Sequence, residues 1–546
     1  MKLFKVSRTF TAGVAAGTAF VYAPVSYEPS DYMPVSEGEE LSKLASAVSA
    51  AADELKELAH QNDIFAAHVD LVEDPTIEEY VSDNLKAGIN VERALQKAIE
   101  DIASEFEAIE DEYFNARAAD MRDIGKRIMM KLKGVSSNPF ENISEHTIVI
   151  ASDLAPSDTA LMDFNKIDGF ITEQGGVTSH VCIIAKSLGI PAIVGAEGIM
   201  QSVHCGDIVA LNAATGEIAV NPEAEVLQSF REEKKAFEQR KAELMDAVNE
   251  ESITRDGKSV KVCMNVGSIE DIEKGLKYNP DGIGLFRTEF LYMHSSDFPS
   301  EETQFEVYKK AAELMGSIEL IIRTLDIGGD KGLPYFDFGQ EDNPFLGYRA
   351  IRICLRRKDV FKAQIRALLR ASAFGNIKIM FPMIISEAEL DEALQVVSEC
   401  KGELESEGQP YNSAVEIGIM IETPAAVIMA DELAKKADFF SIGTNDLTQY
   451  TLCVDRGNKN IAEMYDSFNP AVLRAIEHII RCGHAQGKPV GMCGEFASNT
   501  KAFPILLGFG LDEFSVSAIN IPEIRAAVRS SSFAECEKCT FVQKAD

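Results

Sequence analysis

DFFSIGTND, Asp438 to Asp446, is a short aromatic and β-branched run that ends in a glycine and then turns polar. A run of that kind, bounded by glycine, reads as a buried strand opening into a loop. The same beat recurs through the second half of the chain. VKVCMNV, DGIGLF, LIIRTL, IKIMFPMI, VEIGIMIE, PVGMC and EFSVSA are its companions, separated by long helical stretches such as the one from Asp359 to Phe374. Eight strands alternating with helices over about 290 residues predict a (β/α)8 barrel of the TIM type, placed at residues 253–546. Active sites of such barrels lie at the strand C-terminal ends.

Those ends carry chemistry. The second strand gives Arg287 and Glu289, and the third gives Arg323 and Asp326, followed by Gly328-Gly329-Asp330-Lys331. The fifth ends at Glu422, and the sixth runs into Gly443-Thr444-Asn445-Asp446, with Asp455-Arg456 on the loop beyond. The seventh ends Met492-Cys493-Gly494-Glu495. Singly, a loop arginine is an ordinary ion-pair partner and a cysteine after a strand is a small hydrophobe. Together they place arginines, two Mg²⁺-type carboxylates and a thiol around one mouth. Arginine matches carboxylate and phosphate oxygens bidentately, so the expected ligand is small, anionic and phosphorylated. Glu422 and Asp446 supply the few hard oxygens that Mg²⁺ takes from a protein.

The first half has a different texture. Residues 36–134 are read as helical, with apolar residues at three- and four-residue intervals and Pro75 as a break near the middle. From His146, short β-branched runs alternate with glycines: HTIVIASDL, GFITEQGG, PAIVGAEG, DIVALNAATGEIAVNP. This is a compact α/β domain, expected to recruit two N-terminal strands and so to span 1–35 and 135–221 with the helical bundle inserted. Residues 222–252 follow as a charged linker helix without proline. Within the α/β domain lies GGVTSHVCIIAKSLG, where Thr178 or Ser179 is a natural N-cap and the helix stops at Gly189. His180 therefore sits at a helix N-terminus. The positive end of the helix dipole disfavours an imidazolium there and favours an anion, so the histidine is neutral, nucleophilic and able to carry a phosphate. The plainer alternative is a histidine that only caps or packs.

Composition narrows the partners. The chain has 53 basic and 87 acidic residues and a net charge of −34, which repels nucleic acid and anionic membranes and suits a protein partner with a basic patch. No stretch approaches the length of a membrane-spanning helix. The N-terminal MKLFKVSRTFTAGVAAGTAFVYA has the basic start of a signal peptide, but its threonines and glycines read better as two strands around a glycine turn. The ten cysteines are scattered and mostly lie within apolar runs, as expected of a cytoplasmic interior. Cys536 and Cys539 form a lone CxxC, a weak metal or redox signal.

GLFRTEFLYM, RTLDIGGDK, IMIETPAA, GTNDLTQYTL, DRGN and GMCGE, with GGVTSH, resemble the Enzyme I family, the phosphoenolpyruvate–protein phosphotransferases of the bacterial sugar phosphotransferase system. The resemblance extends through FAAHVDLVEDP and MRDIGKR of the helical region, so it covers essentially the whole chain. It implies that the α/β domain is a swivelling phosphohistidine domain, and that His180 takes the phosphoryl group on Nε2 and passes it to the phosphocarrier HPr. It implies that Arg287, Arg323, Asn445 and Arg456 hold the substrate, that Glu422 and Asp446 bind Mg²⁺, and that Cys493 protonates the enolate to give pyruvate. Lys331 lies in a matching loop. The inserted bundle would dock HPr, the linker would be the pivot, and the barrels would pair as a homodimer.

Two positions depart from the family pattern: Val177, where arginine is more common, and His294, where an acidic residue is usual. Val177 adjoins the nucleophile and so bears on the stability of the phosphohistidine. Pyruvate phosphate dikinases share the swinging histidine but carry an ATP-grasp domain for which the helical region is too short. A silent binding module would have lost Cys493, an arginine or a carboxylate. A regulatory paralogue would carry an extra N-terminal sensory domain, whereas this chain starts on its first strand.

Overall fold

The computed structural model describes the chain apart from residues 7–10, 24–28, 60–67, 70, 108–111, 136–137, 142, 155, 176–179, 294, 330, 334, 340, 459 and 543–546. Val177, Thr178, Ser179, His294 and Asp330 thus lie outside the described residues, as does the side chain of His180. Two compact units divide the chain, Met1–Gln239 and Arg240–Asp546.

The first unit contains a seven-stranded sheet and a helical bundle. Its strands are β1 (Lys2–Lys5), β2 (Val14–Tyr22), β3 (Thr147–Ala151), β4 (Ile167–Thr172), β5 (Ala192–Val194), β6 (Ile208–Asn212) and β7 (Glu217–Val220), in the order β1-β7-β6-β2-β3-β4-β5. The two N-terminal strands do not pair with each other. β1 runs antiparallel to β7, while β2 lies between β6 and β3, parallel to β3. β3 is buried along its whole length. Ile148 and Ile150 pack with Ile171, Val209 and Leu211, while Val149 and Ala151 pack with Phe140, Phe170 and Val181. Both faces of the parallel half are therefore covered, as parallel strands require.

Between β2 and β3 come helices α1 (Glu37–Ala59), α2 (Pro75–Leu85), α3 (Val91–Glu107) and α4 (Glu112–Leu132). Leu44, Ala47, Ala51 and Leu55 of α1 face Ile77, Val81 and Leu85 of α2, Leu95, Ala98 and Ile102 of α3 and Ile124 and Ile128 of α4. These spacings are the buried stripe of an amphipathic helix. The helical region breaks at Pro75 as expected, and the proline starts α2: the Asp74 carboxylate accepts from the backbone N–H of Thr76 at 2.8 Å, and proline fits the first helical turn. The charged segment forms one helix, Ala224–Asp246, whose Phe230 packs with Val14, Ala210 and Ala219.

The second unit is a closed barrel of β8 (Lys261–Val266), β9 (Gly282–Arg287), β10 (Glu319–Arg323), β11 (Ile377–Phe381), β12 (Ile417–Ile421), β13 (Phe440–Ile442), β14 (Val490–Met492) and β15 (Glu513–Ser517). All pairs are parallel, and β15 closes on β8. Each of the eight expected strands is present. Leu285, Ile321, Met380, Met420, Phe439 and Cys493 form an apolar cluster of their own inside the ring, while alternate residues such as Phe286, Ile322, Phe381 and Ile421 face the helices.

Arg525, on the helix Ile521–Ser530, ties the chain entering this unit to the barrel. Buried, it donates from Nε to Ser252 Oγ at 3.0 Å and from Nη2 to Asn279 O at 2.7 Å and Asp281 Oδ1 at 3.0 Å, and it also donates to Val248 O. Removing one partner of a buried ion pair costs about 3 kcal/mol or more. Arg525→Ala is accordingly expected to lower the calorimetric transition of the barrel unit and to leave that of the first unit in place. Coincident shifts of both transitions would contradict this.

Candidate active site

Chain direction places the ends of β9, β10, β12, β13 and β14 at one mouth. Register sets Arg323 beside Arg287 on the adjacent strand. Two glycines allow the strand ends to approach. A Cβ on Gly443 would stand 2.7 Å from Glu422 Oε2, and one on Gly494 would stand 1.8 Å from Thr444 Oγ1. Neither position tolerates a side chain without moving the carboxylate or the loop that follows β13.

The centre is a buried ion network. Asp326 accepts from Arg323 Nη1 at 3.0 Å and from Arg349 Nη2 at 3.0 Å, with Lys331 Nζ at 3.5 Å. Arg323 reaches Glu289 at 2.6 Å and Arg349 reaches Asp446 at 3.1 Å, so the network joins the ends of β9, β10 and β13. Arg349 also donates to Tyr450 Oη at 3.1 Å. Burial alone would raise the Asp326 carboxyl, but Arg323, Lys331 and Arg349 outweigh it and hold that group well below the usual carboxylate range.

Glu422 is the opposite case. Burial, then the neighbouring carboxylates Asp446 and Asp326, push it up to about 8, despite Arg323 and Arg349. Its Oε1 accepts from the backbone N–H of Met383 at 2.7 Å. Among the described residues no three His, Cys, Asp or Glu donors form a metal-binding group. Mg²⁺, however, takes one or two protein carboxylates and completes its shell with water and substrate oxygens. A crowded pair, one member holding a proton and the other (Asp446) with an unpartnered Oδ1, fits that requirement.

Buried polar atoms without a partner collect here: Arg323 Nε, Arg349 Nε, Thr444 Oγ1 and Asp446 Oδ1. Left unmet, such groups cost free energy, so a cluster of them at a barrel mouth marks a place prepared for a polar ligand. Strain accompanies them. Ala350, next to Arg349, has φ +53°, and Met383, which donates to Glu422, has φ +58°. Non-glycine residues held in that region cluster at functional sites.

The remaining expected residues occupy the rim and floor. Arg287 is exposed, with its guanidinium 5.2 Å from the centre of the Phe290 ring, and Arg456 is half-buried near Phe345. Asn445 Oδ1 accepts from the backbone N–H of Glu495 at 3.3 Å. Cys493 lies on the inner apolar cluster. Burial pushes its thiol up to about 11, although Ser441 and Arg323 pull it down. His180 begins the helix His180–Leu188, which belongs to the other unit. Two residues went unrecognised as partners in the sequence. Arg349 carried no strand-end signal, because it follows a long irregular segment after β10. Asp326 was legible as a strand-end residue but not as the hub.

Three family models cover nearly the whole chain: "PEP-utilising enzyme, N-terminal" at 9–117, "PEP-utilising enzyme, mobile domain" at 143–216 and "PEP-utilising enzyme, PEP-binding domain" at 241–533. The chain is 44% identical to the phosphoenolpyruvate-protein phosphotransferase of Geobacillus stearothermophilus, over 91% of this chain and 88% of that protein. It is 42% identical to the phosphoenolpyruvate-protein phosphotransferase of Bacillus subtilis, over 96% of this chain and 95% of that protein. A solution structure of an Enzyme I protein is 34% identical, covers 43% of this chain and 100% of its own, and superposes with a TM-score of 0.38.

The raised Cys493 thiol has a direct consequence, because thiolates rather than thiols are alkylated. Brief iodoacetamide treatment at about pH 8 is expected to label the exposed Cys205 and Cys453 and to spare Cys493. Equal labelling of Cys493, read by peptide mass, would refute the assignment of a buried neutral thiol.

Proposed function

The chain belongs to the phosphoenolpyruvate–protein phosphotransferase family of enzymes, and from that membership we propose that the phosphoryl group passes first to its own His180 and then to a histidine of the phosphocarrier HPr. Pyruvate is released, and the reaction is the first step of phosphotransferase-system sugar uptake. The observation that carries the donor site is the set of unpartnered buried groups at the barrel mouth, Arg323 Nε, Arg349 Nε, Thr444 Oγ1 and Asp446 Oδ1. A phosphate and a carboxylate on one small molecule match the two guanidinium N–H groups and the hydroxyl, while Asp446 Oδ1 would face a cation.

Arg287, Arg323, Asn445 and Arg456 bind and orient the donor, since guanidinium groups meet phosphate and carboxylate oxygens in pairs. Glu422 and Asp446 would hold Mg²⁺, which when bound draws charge from the phosphoryl oxygens. The neutral imidazole of His180 takes the phosphoryl group as the bond to the enol oxygen breaks, leaving the enolate of pyruvate. Cys493, protonated at neutral pH, gives its proton to the methylene carbon of the enolate. His180 and the donor site belong to different units, so the reaction requires the two to meet, and the helix Ala224–Asp246 is the natural pivot. In this reading residues 1–35 and 135–221 form the phosphohistidine domain, residues 222–252 the linker and residues 253–546 the donor domain. The bundle at 36–134 receives HPr, its acidic exterior steering a basic face. The enzyme works in the cytoplasm as a homodimer joined through the barrels. Among the described residues no helix is long and apolar enough to cross a membrane.

Incubation with phosphoenolpyruvate and Mg²⁺ is expected to add one acid-labile, base-stable phosphate per chain. The adduct should be absent in His180→Ala and should not form from ATP. A folded wild-type protein that gains no phosphate would overturn the proposal. Glu422 must lose its proton before it can bind a cation, so the Mg²⁺ concentration for half-maximal phosphorylation should fall as pH rises from about 6.5 to about 8. A flat dependence would remove Glu422 from the metal site.

A further inference from the structure

The proton donor raises a problem that the reaction as described leaves unsolved. When Cys493 gives up its proton it becomes a thiolate on an apolar cluster, deep in a barrel, under the opposed influence of the Arg323 guanidinium and the carboxylates Glu422 and Glu513. A charge created there needs a hydrogen-bond donor.

Cys493 is held tightly. Its backbone N–H donates to Ile442 O at 3.2 Å, and its carbonyl accepts from Asn265 Nδ2 at 2.9 Å. Asn265 is itself fixed by Ser515, whose hydroxyl donates to Asn265 Oδ1 at 2.6 Å. The neighbouring strand β13 contributes Ser441, which is opposite Gly491 in the β13–β14 register. Gly491 and Cys493 lie on the same face of their strand, two residues apart, so Ser441 and Cys493 are turned to the same side of the ring. Ser441 is 2% exposed, and its Oγ forms no hydrogen bond. It is close enough to hold down the Cys493 thiol, while the neutral thiol itself faces Ile442 O, 3.9 Å from Sγ. A buried hydroxyl without a partner carries a standing cost. Here that cost has a use, because the Cys493 thiol beside it changes charge during the reaction.

We infer that Ser441 is a positioning residue for proton delivery, whose hydroxyl donates to Cys493 Sγ as the thiol becomes a thiolate. The S–H bond breaks and a C–H bond forms at the methylene carbon of the enolate, and the sulfur keeps the electron pair. The Ser441 O–H turns toward it without losing its own proton. Reprotonation of the thiolate from water restores the site. This inference rests on the assignment of Cys493 as the acid.

The test uses the full-length protein with Mg²⁺ and separates the two halves of the reaction. Phosphorylation is followed as a single turnover with phosphoenolpyruvate by intact mass. Proton transfer at carbon is followed as enzyme-dependent exchange of the pyruvate methyl hydrogens with D₂O by NMR. One hydrogen bond to a charged group corresponds to about a tenfold to hundredfold change in rate. Ser441→Ala should slow exchange by that factor, change phosphorylation by less than about threefold, and leave the melting temperature equal or higher because an unmet polar atom has been removed. Ser441→Thr, which keeps a hydroxyl, should recover part of the exchange rate. Unchanged exchange in Ser441→Ala would overturn the inference, and so would equal losses in exchange and phosphorylation. Cys493→Ala is the control: if it retains exchange, the assignment of the acid itself has failed, a result distinct from failure of Ser441.

Discussion

Asp326 is the group on which the barrel mouth depends. A carboxylate buried among apolar strands would keep its proton, and an arginine in the same place would be expelled or paired. Asp326 resolves both conditions by lying between Arg323 and Arg349, each at 3.0 Å. Those two arginines come from the end of β10 and from the far end of the irregular segment that follows it. The pairing therefore closes that segment back onto its own strand. Through Arg349 the network continues to Asp446 and the helix Thr444–Leu452, and through Arg323 to Glu289 and the helix Glu289–Met293. Burying so many charges is not a source of stability in itself, because desolvation offsets much of the mutual attraction. What the arrangement supplies is fixed geometry: guanidinium groups whose positions are set before any ligand arrives.

The network is also incomplete, and its incompleteness is ordered. Arg323 Nε, Arg349 Nε and Asp446 Oδ1 lie on side chains whose other polar atoms are engaged, so they cannot turn away to find a partner. Glu422, buried and crowded by two other carboxylates, is pushed up to about 8. A site of this kind is stabilised by what binds to it, which is how preorganised electrostatic sites stabilise a developing charge without reorganising during the reaction.

Much of this was legible in the chain, for an identifiable reason. Barrel strands buried on both faces read as continuous apolar runs, and β10 and β12 are buried at every position, so their ends and the residues placed there could be read directly. His180 could be placed at a helix start from turn and apolar residues alone. That the two N-terminal strands join the later α/β strands was legible, but which strand each meets was not. β1 and β2 are adjacent in sequence, but their register lies with β7 and β6, because a strand's pattern fixes its faces rather than its neighbours. Arg349 showed nothing in its local sequence, since its importance comes from residues distant in the chain.

The insertion of the helical bundle has a consequence for how the first unit is made. Tyr22 pairs with Ala151, and Lys2 pairs with Val220. As the chain emerges from a ribosome, the first two strands leave it long before anything exists for them to join. Closing a loop of roughly 120 residues carries an entropic cost that grows only slowly with length, so the equilibrium tolerates the insertion well. The order of events is affected more strongly. α1 to α4 contact one another locally and can assemble early, whereas the sheet remains open until its last strand, β7, is available, because only then can β1 be paired. A nascent chain stopped between α4 and β3 would hold a formed bundle beside two strands with exposed edges, the state most vulnerable to pairing with another chain.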